Sequence, residues 1–66
     1  MKQLERITLA AARVNAKLTQ KDVAKALGVT QNTVYRWETG ITPIKAKYLF
    51  DLAKLYDMSI EQFFLE

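Results

Sequence analysis

Leu4, Ile7, Ala11, Val14 and Leu18 recur at intervals of three and four, the spacing of one face of a helix. The spacing predicts a first helix over about 3–15, with Lys17 in the turn that follows. In Thr19-Gln20-Lys21-Asp22 a threonine stands three places before an acid, a short-armed capping box. Val23, Ala24 and Leu27 then give a second helix, 20–27, its apolar face. Gly28 suits the left-handed stop behind it. Thr30 is the next capping residue and opens a third helix, 31–38, which should end at Thr39-Gly40. Ile41-Thr42-Pro43 forms a linker, and its proline is placed for the start of a fourth helix over 44–56. Ala46, Leu49, Phe50, Ala53 and Tyr56 are the expected inward residues of that helix. Asp57 takes the next turn. Ser59-Ile60-Glu61-Gln62 is a second capping box, opening a last short helix over 60–65 whose Phe63 should complete the core. No run alternates as a strand would, and no repeat is present. The expectation is an all-α, compact, five-helix domain covering 1–66.

Composition narrows the chemistry. Neither cysteine nor histidine occurs among the 66 residues, which removes disulfides, thiolate metal sites and the usual general base near neutral pH. No glycine-rich phosphate loop or carboxylate cluster replaces them, so no enzyme, metal, cofactor or small-molecule ligand is expected. The start, Met1-Lys2-Gln3-Leu4-Glu5-Arg6, is charged where a signal peptide would turn apolar, and no apolar run approaches a membrane span. A cytoplasmic protein, bacterial or phage-encoded, is the expectation. The net charge of +3 is unevenly spread. Residues 1–47 carry nine Lys and Arg against three acids, a net of +6, whereas residues 48–66 carry Lys54 against four acids, a net of −3. One end of the chain suits a polyanion and the other does not.

The third helix has two faces of different chemistry. At ~100° per residue from Gln31, Val34 and Trp37 fall at ~300° and ~240°, and must be buried. Gln31, Tyr35, Asn32 and Arg36 fall at ~0°, ~40°, ~100° and ~140° on the opposite side. Those four side chains are amides, a phenol and a guanidinium, the groups that read base edges. Gln31 and Asn32 can each pair with adenine, and Arg36 suits either guanine O6/N7 or a phosphate. Tyr35 suits a thymine methyl or a phosphate. The alternative for the set is an ordinary solvated face. Thr30 can cap the helix and still donate its proton to a phosphate, while Gln20 stands at a helix N-terminus that attracts one. Thr42, Lys45 and Lys47, with Thr39, are placed to hold the far strand. Glu38 would repel DNA unless neutralised; its angle of ~340° turns it toward the first helix, where Arg13 has the matching charge.

Leu18-Thr19-Gln20, Val23-Ala24, Leu27-Gly28-Val29-Thr30, Val34, Trp37-Glu38 and Gly40 stand in a register that resembles the helix-turn-helix of the phage repressor and Cro class, the XRE family. The resemblance continues through the last two helices. It implies double-stranded DNA as partner, the third helix in the major groove, and a repressor's role. It implies that Gln20 touches a phosphate and braces Gln31, and that Arg13 and Glu38 form a partly buried ion pair. Lys17 and Asp57 depart from it, standing where glycine is common. Pro43 comes one place early, which alters the linker path leading to Lys45 and Lys47.

The end of the chain carries more apolar surface than one helix face needs. Ile60, Phe64 and Leu65 are candidates for an exposed partner surface. In the resembled family this end makes a two-fold contact on DNA. A homodimer would set two reading helices about 34 Å apart on an approximate palindrome. The rival readings share the fold: a protein-binding module such as an antitoxin, or the DNA-binding part of a longer repressor.

Overall fold

The computed structural model describes residues 7–62. Its elements in chain order are α1 (Leu9–Asn15), α2 (Gln20–Leu27), α3 (Gln31–Glu38), α4 (Ala46–Leu55) and a single 3-10 turn, Ile60–Gln62. Three of the four α-helices open on a threonine. The Thr8, Thr19 and Thr30 hydroxyls accept from the amides of Ala11, Asp22 and Thr33 at 3.0–3.1 Å. At α2 the box is reciprocal, because the Thr19 amide donates to Asp22 Oδ2 at 2.9 Å. That bond holds the Asp22 carboxyl below its ordinary pKa. The Ser59 box is looser: the Ser59 amide donates to Gln62 Oε1, but the Ser59 hydroxyl accepts from Glu61.

The helices also stop alike. Lys17, Gly28, Gly40 and Asp57 have φ of 62°, 72°, 78° and 56°. The amide after each one folds back on its helix: Leu18 to the Arg13 carbonyl, Val29 to Ala24, Ile41 to Arg36 and Met58 to Ala53, at 2.9–3.2 Å. These are the six-to-one bonds of a left-handed stop, which satisfy carbonyls that the helix leaves open. Lys17 takes this geometry with a β-carbon, at a cost of roughly 1–2 kcal/mol. Part of that gain on substitution is cancelled by the greater freedom of unfolded glycine, roughly 0.5–1 kcal/mol. Lys17→Gly should therefore raise the thermal midpoint by about 2–8 °C, and Asp57→Gly by less, since aspartate tolerates the conformation better. An unchanged midpoint in calorimetry would remove strain at Lys17.

Leu9 and Ala12 of α1, Val23 and Ala24 of α2, Val34 and Trp37 of α3, and Leu52, Ala53 and Tyr56 at α4 form the buried core. α3 packs chiefly on α2 and also meets α1. Ile7 donates its amide to the Gln62 carbonyl at 2.9 Å, drawing the two ends of the described chain together.

Several expectations are corrected. α1 starts at Leu9 rather than at residue 3, because Thr8 caps it. Its buried face is Leu9 and Ala12, so Ala11 is exposed and Val14 is 60% exposed. The reason lies at Arg13, which must face Glu38 and so turns the 11/14 stripe outward. α4 begins at Ala46, with Lys45 at its N-cap and Pro43 and Ile44 in the connection. Ala46 is exposed, and Phe50 is 60% exposed; Leu52 occupies the core instead. The described residues hold four α-helices, and Ile60–Gln62, where the fifth helix is expected to open, form a 3-10 turn. Phe63, Phe64 and Leu65 lie outside the described residues.

Candidate nucleic-acid interface

α3 presents one face to solvent and is fixed by the other. Gln31, Asn32 and Arg36 are exposed and Tyr35 is 47% exposed, while Val34 and Trp37 are buried behind them. The helix is anchored at both ends. At its start Thr30 caps, and its hydroxyl also meets the Thr33 hydroxyl at 2.9 Å. One proton serves that hydroxyl pair, so the other is left for an outside acceptor.

At the far end Glu38 is the centre of a polar knot. Arg13 Nε donates to Glu38 Oε2 at 2.7 Å, and the two side chains are 16% and 6% exposed. Arg13 Nη2 reaches Oε1 at 3.4 Å, and Arg13 Nη1 donates to the Leu18 carbonyl at 2.9 Å. Gln20 Nε2 completes the set, donating to Glu38 Oε1 at 2.9 Å. One carboxylate thus ties α3 to both α1 and the first residue of α2. The Gln20–Glu38 bond was not legible in the sequence, where Gln20 is expected to lean toward Gln31. The signal for it is a carboxylate with a second oxygen to satisfy beside an amide at the helix start.

Tyr56 closes the core near this knot. Burial pushes its phenol up to about 12, with the Glu38 carboxylate reinforcing and Arg13 opposing. An unfolded tyrosine titrates at about 10, so the folded chain keeps a proton that the unfolded chain gives up. This contribution to stability is complete below pH ~10 and falls as the pH rises toward 12, by about 1.4 kcal/mol per unit where steepest. Urea unfolding across that interval should show wild type losing stability faster than Tyr56→Phe. Parallel curves would mean that the phenol ionises as readily folded as unfolded.

The remaining candidates surround the C-terminal end of α3. Arg36 Nε donates to Thr42 Oγ1 at 2.9 Å. The Thr39 hydroxyl donates to the Tyr35 carbonyl at 3.0 Å, so its proton is used within the helix. Lys45 is exposed at the start of α4, and Lys47 Nζ lies 4.9 Å over the Tyr48 ring. Tyr48 in turn meets Trp37, with ring centroids 5.1 Å apart and planes at 40°. Lys47 is thereby held beside α3 through two aromatic rings, an arrangement that no spacing announced. Ile60 is half-buried and packs against the core, whereas Phe50 stands out next to it across a groove also lined by Ala53 and Met58.

No helix among the described residues is long and apolar enough to cross a membrane. A helix-turn-helix family model matches residues 9–63 of the chain. An uncharacterized HTH-type transcriptional regulator of Methanocaldococcus jannaschii is 40% identical over 48 residues, 73% of either chain. No solved structure matches. With an α2–α3 pair in helix-turn-helix order, an exposed polar face on α3 and these likenesses, the chain belongs to the XRE-type helix-turn-helix family of DNA-binding transcriptional regulators.

Proposed function

We propose that the chain, acting as one domain in the cytoplasm, is a sequence-specific repressor that binds a palindromic operator as a homodimer, with α3 in the major groove. The observation that carries this reading is the two-sided α3: four polar base-reading side chains outside, and Val34, Trp37 and Glu38 fixing the helix from behind. Gln31 and Asn32 at its first turn read adenine edges, and Arg36 and Tyr35 read the bases that follow. Phosphates are held by the N-terminus of α2 at Gln20, by the Thr30 hydroxyl, by the backbone at Thr39, and by Thr42, Lys45 and Lys47. These contacts give affinity and register, and the α3 face gives sequence. The two-fold contact lies at the acidic end of the chain, through Ile60, Phe64 and Leu65, joined by the exposed Phe50.

Selection of bound duplexes from a random pool tests the reading. Wild type should enrich a two-fold symmetric site. Gln31→Ala should cost about 1–3 kcal/mol of discrimination at one base pair of each half-site and leave non-specific, salt-sensitive binding in place. If wild type enriches no sequence over that background, the sequence-specific reading fails.

A further inference from the structure

Arg36 is the one base-reading candidate whose guanidinium is already held by another side chain among the described residues. The stop of α3 arranges this. Gly40, at φ 78°, turns the chain back so that its amide meets the Trp37 carbonyl at 3.3 Å. The amides of Ile41 and Thr42 both then converge on the Arg36 carbonyl, at 3.0 and 3.3 Å. Thr42 is thus bound to Arg36 through the backbone, and its Oγ1 accepts from Arg36 Nε at 2.9 Å. Thr42 is half-buried, so the acceptor has a defined place, while Arg36 is exposed.

A guanidinium carries one N–H on Nε and four on its two terminal nitrogens. With Nε committed to Thr42, the side-on edge is occupied and the end-on pair of terminal nitrogens remains, with no acid paired to it among the described residues. Two parallel donors on a rigid plane match guanine O6 and N7. A free arginine would lose rotamer freedom on reaching those atoms, and one held by Thr42 has lost part of it beforehand. The Thr42 hydroxyl keeps its own proton for a phosphate, so the two roles are compatible.

We infer that Thr42 is a positioning residue for Arg36, holding its guanidinium so that the terminal nitrogens read a guanine in the major groove. The inference rests on the DNA-binding reading given above. Duplex selection with wild type, Arg36→Ala, Thr42→Val and Thr42→Ser separates the two. Arg36→Ala should abolish a guanine preference at one position of each half-site. Thr42→Val should weaken that same preference by about 3- to 10-fold relative to the other positions, and Thr42→Ser, which keeps the acceptor, should retain it. Before DNA is added, the Arg36 Nε–H resonance should exchange slowly with solvent in wild type and Thr42→Ser, and quickly in Thr42→Val. The spread of backbone amide resonances in the same spectra shows that each variant is folded. A guanine preference lost in Arg36→Ala but intact in Thr42→Val overturns the positioning role alone, whether or not affinity falls uniformly through the lost phosphate contact. A site unaltered by Arg36→Ala overturns it too, whereas no enriched site in wild type removes the DNA-reading proposal along with it.

Discussion

Glu38→Ala should remove a large part of the chain's stability. Its carboxylate accepts from Arg13 Nε at 2.7 Å and from Gln20 Nε2 at 2.9 Å, and both members of the ion pair are nearly withdrawn from water. Removing one partner of such a pair costs about 3–5 kcal/mol, because the other stays behind as an uncompensated charge. The whole stability of a chain this size is roughly 3–10 kcal/mol. Arg13→Ala should be nearly as damaging. Replacing both by apolar residues, as in Arg13→Met with Glu38→Leu, should recover most of the loss, since no buried charge remains. Urea denaturation followed by circular dichroism compares the four chains. A double variant no better than the worse single one would mean that the knot stabilises through some feature other than the pairing of its charges.

Phe50→Asp should have the largest effect on the proposed operator binding. Phe50 is 60% exposed on α4, beside a groove lined by Ala53, Met58 and Ile60. A carboxylate there would be well solvated in a monomer, so the fold should survive. In a two-fold interface it would meet its own copy, and like charges would face each other out of water. Sedimentation should show the dimer separating. Affinity for a complete operator should fall on the order of 100-fold, because two linked half-sites bind far more tightly than one alone. Affinity for an isolated half-site should barely move. If the variant binds the full operator as wild type does, the two-fold contact lies elsewhere and the Phe50 face serves a different partner.

The extent to which the fold was legible follows the range of the forces involved. The bounds of α2 and α3, Gln20–Leu27 and Gln31–Glu38, agree with those read from the sequence. Thr19, Thr30, Gly28 and Gly40 set them through bonds to residues only a few places away. α1 starts later than the 4/7/11/14/18 stripe predicts, because the stripe competes with the cap at Thr8 and is the longer signal. Nothing local says which face wins. The choice falls to Arg13, whose partner is 25 residues away. α4 is apolar on more than one side, so Phe50 and Leu52 are equally plausible core residues until α4 has something to pack against. Within the candidate interface, the outward set of Gln31, Asn32, Tyr35 and Arg36 came from helical periodicity alone. The links that orient it, Gln20 to Glu38 and Arg36 to Thr42, depend on how helices and stops meet in space.

The bond from Ile7 to Gln62 joins the first and last described residues, both of them half-buried. Neither residue belongs to the buried core, so the bond can part without opening that core. Local opening of this kind takes far less free energy than global unfolding. The Ile7 amide should therefore exchange with solvent much sooner than those of Val23 and Leu52, which lie in the fully buried centre. The α2–α3 pair has its caps, its stops and its own share of the core, and none of them depends on that clasp. The contact between Ile7 and Gln62 can open while the two helices that would face DNA stay assembled.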